Sequence, residues 1–514
     1  MDWTERNRKY TLSDSASGFT ISFAGMKFTA DQLAALKDKF ERASGEMAKL
    51  EAGAIKNPDE QRKVTHFTDR AVYPQTPEFR EVEEFSAAIR EQGRFDAVVV
   101  NGIGGSALGP QLLQFAINGP YWNELSAEQR KNGLKIYFLD NTDSAGFADL
   151  AAVMIPERTL HLVVSKSGGT QETRNNMIAM ENFYAERNLK FADHAVAVTM
   201  TGSQLYQHAT ETGFLKIFNM ADSVGGRTSE TAIVGHLPAA LTGIDFKTFL
   251  DGACAMDSWT RNREYSNNPA MMLAAMWYIA GNGRGDRNMV IVPYSDRLVL
   301  LSRYLQQLVM ESLGKELDLD GNVVHQGLNV FGNKGGTDAH AFIQQLNDGR
   351  DDFFATFIEV QQDALALPIE GNTGMGDYLH GFFEGLCAAL RNKERQVITI
   401  RIPRLTVFEL GQIIALYERA VAIYAEFINI NAFHQPGVQA YKLAAKAALV
   451  LREAVLKFLG EHPDFSGTAE ELANAAGLSG QSVEIAGILD RAAVNGEYVS
   501  RASDNHGSWV YSAK

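Results

Sequence analysis

Residues 163–177, VVSKSGGTQETRNNM, join an apolar run to helix-like sequence through a loop of small hydroxyls and glycines with one lysine. Ser165, Ser167 and Thr170 supply hydroxyl donors, Gly168 and Gly169 expose backbone N–H groups, and Lys166 adds a positive charge. Many short donors around one point suit a phosphomonoester. The spacing is not G-x-x-x-x-G-K-[ST], so a nucleoside triphosphate cradle is not indicated. A second donor loop occurs in NGIGGSALGP (101–110), where Gly104 and Gly105 permit a close backbone turn and Ser106 is expected to cap the next helix. A helix N-terminus carries unsatisfied N–H groups and partial positive charge, which suits an anion. Ala107 stands where G-x-G-x-x-G needs its third glycine, so a dinucleotide fingerprint fails. Alone, this stretch reads equally well as a tight strand–helix turn. Two such loops at successive strand ends of one sheet favour a binding site, because ligands bind there in α/β folds.

Four further stretches carry chemistry-bearing side chains. In SVGGRTSETA (223–232), Arg227 follows two glycines, a place for a guanidinium facing an oxyanion, although this stretch alone reads more readily as a surface arginine. In QQLVMESLGKELD (306–318), Gln307 and Glu311 fall four apart on one helix face, with Lys315 one turn further and Leu308 and Met310 in the core. Glu311 interrupts an apolar run, which marks a candidate buried carboxylate with a raised pKa, against the usual reading of a solvated glutamate. In NKGGTDAHAFIQQL (333–346), His340 follows a Gly/Thr/Asp loop at a helix start, where an imidazole either relays protons or serves the helix end. In FHQPGVQAYKLAA (433–445), Gln435 and Lys442 flank a Pro-Gly turn into a helix, and spacing alone leaves Lys442 an ordinary surface lysine. The eleven histidines are scattered, with no H-E-x-x-H or C-x-x-C, so no metal site is expected.

These residues need a scaffold, and the chain has a rhythm that supplies one. RFDAVVVNGIGG, LKIYFLDN, TLHLVVSKS and HAVAVTMT read as buried strands, each followed by helix-like sequence. The rhythm pauses over 230–285, where AIVGHLPAALTGI and PAMMLAAMWYIAG look helical, and restarts with NMVIVPYS, LNVFGNKGG, FFATFIEV and QVITIRI. Strands alternating with helices predict two successive doubly wound α/β units with mainly parallel sheets. A helix is expected in TADQLAALKDKFERASGEMAKLEAG, and long helices in TVFELGQIIALYERAVAIYAEF and QAYKLAAKAALVLREAVLKFLG. The tail reads as two helices and a hairpin with a Gly-containing turn, an order like that of a winged helix. We expect a largely helical extension at 1–85, α/β domains at 86–285 and 286–430, a helix carrying Lys442 at 431–462, and a small α+β appendage at 463–514.

Composition narrows the class. The chain has 514 residues, 45% hydrophobic and 21% charged, with a formal net charge of −14. Such a surface does not suit a nucleic-acid backbone or an anionic membrane, and acidic residues outnumber basic ones in the winged-helix-like tail as well. Any bound phosphate must therefore be held by a local pocket of donors. Only Cys254 and Cys387 occur, which fits a reducing compartment. The N-terminus, MDWTERNRKY, is charged where a secretion signal is apolar, and no run approaches a membrane span, so a cytoplasmic protein is expected.

Taken in order, GIGGS-x-LGP, SKS-x-x-TQET, GGR, MES-x-GK, GT-x-x-HAF-x-QQL and Q-x-GV-x-x-x-K resemble the glucose-6-phosphate isomerase family over roughly 95–450. The resemblance implies two sugar-isomerase α/β domains and aldose–ketose isomerisation in glycolysis and gluconeogenesis without metal or organic cofactor. It implies that Gly105, Ser106, Ser165, Lys166, Ser167 and Thr170 hold the sugar phosphate and that Gln307 and Gln435 help bind substrate. Glu311 matches the catalytic base, His340 the ring-opening residue, Arg227 the stabiliser of the charged intermediate, and Lys442 a second ring-opening or positioning group. It also implies a homodimer whose site takes the histidine from the neighbouring subunit. Thr228, Ala339, His434, Pro436 and Gln439 depart from the family's usual residues and reshape the pocket wall. Isomerisation of mannose 6-phosphate, or of both epimers, is the nearest alternative, and a non-catalytic sugar-phosphate-binding regulator is the alternative of another class.

Overall fold

The computed structural model describes residues 2–58, 60–503 and 508–514. The chain divides into two compact units, Met1–His434 and Gln435–Lys514. In the first unit the two large sheets are built from β1 (Thr11–Ser13), β2 (Thr20–Gly25), β3 (Ala97–Asn101), β4 (Lys135–Leu139), β5 (Thr159–Val164), β6 (Ala195–Thr199) and β7 (Lys216–Asn219). They are followed by β8 (Asn288–Tyr294), β9 (Val330–Gly332), β10 (Phe353–Val360) and β11 (Gln396–Ile402).

β3 to β7 form a wholly parallel sheet in the order β4-β3-β5-β6-β7. Its strands are apolar on both sides: Val98, Val100, Leu160 and Leu162 enter one core cluster, and Val99, Val163 and Ala197 enter another. Burial of both faces is what a parallel sheet requires, because its crossover helices cover them. The order reverses between β3 and β5, which opens a crevice at their C-terminal ends. Loops 102–107 and 165–170 emerge there.

The second sheet runs β1-β2-β11-β10-β8-β9, with β8 to β11 parallel and β2 antiparallel to β11. Two mainly parallel α/β sheets are thus present, as the strand–helix rhythm predicts. The N-terminal hairpin is an addition to that reading. Phe19, Ile21 and Phe23 are fully buried, and β2 pairs along β11, so an open sheet edge is covered. The expected helix after Thr29 is two helices, Ala30–Ala34 and Lys37–Glu51, and the turn between them lets Leu33, Leu36 and Phe40 all enter the core.

Among the described residues, the second unit has three helices, Pro436–Glu461, Ala469–Ala475 and Ser482–Val494, with strands Ser466–Gly467, Val499–Ser503 and Trp509–Ala513 in one small sheet. Val455, Leu472, Leu489 and Tyr511 form its core. The tip of the expected hairpin, 504–507, lies outside the described residues. Among the described residues, no helix is long and apolar enough to cross a membrane.

The helix Val407–Phe427 is buried around nearly its whole circumference, so its charged residues need internal partners. Arg70 Nε and Nη2 donate to Asp257 at 2.6 and 3.0 Å, and its Nη1 donates to Glu418 at 2.6 Å. Arg419 donates to Asp257 at 3.0 Å and to Glu51 at 2.7 Å. Glu230 adjoins this cluster and accepts from Tyr304 Oη at 2.5 Å; burial first, and then the Glu418 charge, push its carboxyl well above the usual range. Arg70 is the common partner of Asp257 and Glu418, so Arg70→Ala leaves both buried without their main counter-charge. We expect a loss of about 3–5 kcal/mol, read as a lower denaturant midpoint; an unchanged midpoint would show that the network contributes nothing net.

Candidate active site

The phosphate-type loop is built by backbone necessity. Gly168 has φ +74°, and a Cβ there would lie 2.2 Å from the backbone N of Leu205, so only glycine fits. Within the loop, Gly168 N donates to Ser165 Oγ at 3.1 Å, Gly169 N to Ser167 Oγ at 3.1 Å, and Ser165 Oγ to Thr170 Oγ1 at 3.2 Å. Thr170 is the N-cap residue of helix Gln171–Ala185 without a side-chain capping bond. The neighbouring loop differs from expectation in one respect: Ser106 sits in a 3-10 turn, Gly104–Ser106, and Ala107 takes the N-cap position of the next helix. An added Cβ on Gly105 would lie 1.8 Å from Gly226 O, so this loop packs backbone to backbone on the segment carrying Arg227. Ser229 Oγ donates to Gly105 O at 3.1 Å across the same contact.

Lys166 turns to that segment too. Its ammonium donates to Asp222 O, approaches Asp222 Oδ1 at 3.0 Å, and is lowered in pKa first by burial and then by Arg62. Arg62, 8% exposed, also reaches Asp222 O at 3.4 Å. Its part in the site was not legible from sequence spacing, since 160 residues separate the two.

Arg227 is not a surface arginine. It is 7% exposed, and its Nη1 donates to Ser312 Oγ at 2.8 Å and to Ala432 O at 2.6 Å. Burial lowers its pKa, opposed by Glu311, whose Oε2 lies 3.9 Å from Arg227 Nε. The guanidinium thus faces a carboxylate that is 23% exposed. Glu311 ends a π-helical segment, Gln306–Glu311, continuing helix Leu301–Leu305. Wider winding at a functional position is a recurring feature of such segments. It turns Met310, expected in the core, outward to 39% exposure, while Leu308 stays buried. Gln307 projects over the first donor loop, where a Cβ on Gly104 would lie 3.1 Å from its Nε2. Lys315 lies beyond the helix, on the strand Lys315–Leu317, and reaches back to the Glu311 carbonyl.

The first donor loop, with Gly105 and Ser106, packs on Gly226 and lies under Gln307. The second, with Ser165, Lys166, Ser167 and Thr170, reaches Asp222 through Lys166. Both therefore lie against the segment that carries Arg227, which faces Glu311. His340 is exposed at the end of the 3-10 turn Thr337–His340, and among the described residues no hydrogen bond or ion pair joins it to these groups. Gln435 and Lys442 belong to the second unit, at the N-cap and in the second turn of helix Pro436–Glu461, where Pro436 and Gly437 start the helix rather than forming a separate turn. Among the described residues, one group has ligand atoms close enough for a metal, Glu359, His380 and Glu384. Arg401 donates to Glu359 Oε2 at 2.7 Å and to Glu384, so a guanidinium already meets both carboxylates.

Ser312 and Arg62 are the site neighbours that sequence reading missed. Ser312 follows Glu311 directly, and an apolar run broken by two adjacent polar residues was the available signal.

A sequence profile described as phosphoglucose isomerase matches residues 47–383 and 384–458. Glucose-6-phosphate isomerase of Nostoc punctiforme is 44% identical, with 99% of this chain and 98% of that protein covered. The protein of the same name from Geobacter sulfurreducens is 45% identical, covering 96% and 95%. A crystal structure of a glucose-6-phosphate isomerase from Chlamydia trachomatis superposes with a TM-score of 0.78 at 28% identity, covering 88% of this chain and 93% of that one. The Nostoc alignment is long enough to take in most of the tail, whereas the profile ends at 458. With the profile and full-length relatives in agreement, the chain belongs to the phosphoglucose isomerase family.

Proposed function

We propose that the protein reversibly converts glucose 6-phosphate to fructose 6-phosphate. The carrying observation is the Arg227–Glu311 pair, 3.9 Å apart beside a donor loop of phosphate type. The reaction needs this combination. A cyclic aldose phosphate must open, lose its C2 proton, pass through a cis-enediolate and regain the proton at C1. Glu311 takes the proton from C2 and returns it to C1, and Arg227 stabilises the enediolate oxygen with a charge already fixed in place. Ser106, Ser165, Ser167 and Thr170, with the N–H groups around Gly105, hold the phosphate, and Lys166 orders the loop beside it. Binding the phosphate away from the reacting carbons lets its binding energy orient the sugar. Gln307 and Gln435 position the chain of hydroxyls. His340 and Lys442 serve ring opening. The reading includes a homodimer in which His340 acts in the neighbouring subunit's site, supported by its exposed position.

Incubation with fructose 6-phosphate in D₂O, followed by NMR, tests the reaction. Glucose 6-phosphate with deuterium at C2 is expected; mannose 6-phosphate would establish the other epimer, and bound but unchanged substrate a regulator. Glu311→Gln should lower kcat by about 10²–10⁴-fold and leave binding of glucitol 6-phosphate, which has no carbonyl, nearly unchanged. A near-normal rate would remove Glu311 from its role. Mixing Glu311→Gln and His340→Ala chains after joint refolding tests the shared site. If each site takes His340 from the partner, mixed dimers have one intact site and about a quarter of wild-type activity returns. No recovery would place both groups in one chain.

A further inference from the structure

The site contains a buried cation that the proposed reaction does not use. The helix ends at Leu313, two residues after Glu311, and the chain turns through Gly314 into Lys315–Leu317. Such an end leaves carbonyls without helical N–H partners. Gly314 N meets the Met310 carbonyl at 2.8 Å, but those of Glu311 and Ser312 are met by a side chain: Lys315 Nζ donates to them at 2.8 and 2.7 Å. Lys315 is 4% exposed. The charged groups facing it are Arg227 and Glu311. Burial first, and then Arg227, bring its ammonium down to about 7, with Glu311 opposing. A buried lysine beside an arginine is costly to keep, and an apolar residue would pack there without that cost.

The contacts indicate what the lysine secures. Ser312 is held twice, its hydroxyl by Arg227 Nη1 at 2.8 Å and its carbonyl by Lys315 at 2.7 Å. The Glu311 carbonyl is held by the same ammonium. One side chain therefore fixes the backbone under the carboxylate and the residue that orients the guanidinium.

We propose that Lys315 is a positioning residue for the isomerisation: it clamps the carbonyls of Glu311 and Ser312 and so sets the carboxylate against Arg227. The proposal rests on the reading of Glu311 as the base. A misplacement of about 1 Å costs about 10²-fold in rate. Lys315→Met should therefore lower kcat by about 10–100-fold per folded chain, while KM for fructose 6-phosphate and affinity for glucitol 6-phosphate shift by less than about threefold, because no phosphate-loop donor is touched. Lys315→Arg, which keeps the charge and can span both carbonyls, should recover much of the lost rate. A residue that only supports the fold would lower the unfolding midpoint without this split between kcat and KM. Should the methionine variant not fold, Lys315→Gln, which is shorter and uncharged, carries the same expectation. Wild-type kcat in a folded Lys315→Met or Lys315→Gln chain overturns the proposal. Glu311→Gln run in parallel separates the failures: if it is inactive while the Lys315 variants are normal, only the clamp falls; if it too is active, the assignment of the base falls as well.

Discussion

The Arg227 guanidinium donates to Ser312 Oγ, 85 residues away, and to the Ala432 carbonyl, 205 residues away, and faces Glu311. A planar fork with several fixed donors can tie separate backbones at defined angles, which a flexible ammonium does less well. The segment bearing Arg227 follows the first sheet, whereas Glu311 and Ser312 follow the first strand of the second parallel set. One buried side chain therefore sets the relation between the loops suited to phosphate and the carboxylate suited to proton transfer.

The junction depends on glycines that remove side chains from its path. Gly105 lets one loop lie directly on the Gly226 carbonyl, and Gly168, with φ +74°, lets the other press on Leu205. The donors between these points are hydroxyls and amides already bonded to one another, as in the Ser165–Thr170 pair. Their arrangement is held by the loops themselves, which lowers the ordering cost when an anion binds.

The sequence was legible where a local signal was strong. Valine-rich strands in a regular rhythm marked both sheets, and the glycine–hydroxyl loops marked the crevice at β3 and β5. It was less legible where tertiary contact decides. TISFAG, within a charged stretch, becomes β2 because it pairs with β11, some 375 residues later. Arg227 looked like a surface residue because its partners lie far along the chain. Met310 was expected in the core from a 3.6-residue period, but the π-helical winding of 306–311 shifts it outward. Ser106 missed its cap because the chain makes one further 3-10 turn before the helix begins. In each case the residue type was right for its neighbourhood, and the missing information was which distant surface formed that neighbourhood.

The crevice differs in charge from the acidic chain as a whole. The net charge of −14 lies mostly on the outside, whereas Arg62, Lys166, Arg227 and Lys315 gather around the crevice, against Glu311 and Asp222. Lys166, Arg227 and Lys315 all hold their protons less firmly than free side chains, with burial the leading cause in each. Such a cluster is short of negative charge. On the proposed function, a phosphate dianion, or an enediolate oxygen forming beside Arg227, would meet this excess of positive charge in a place where burial already weakens its solvation.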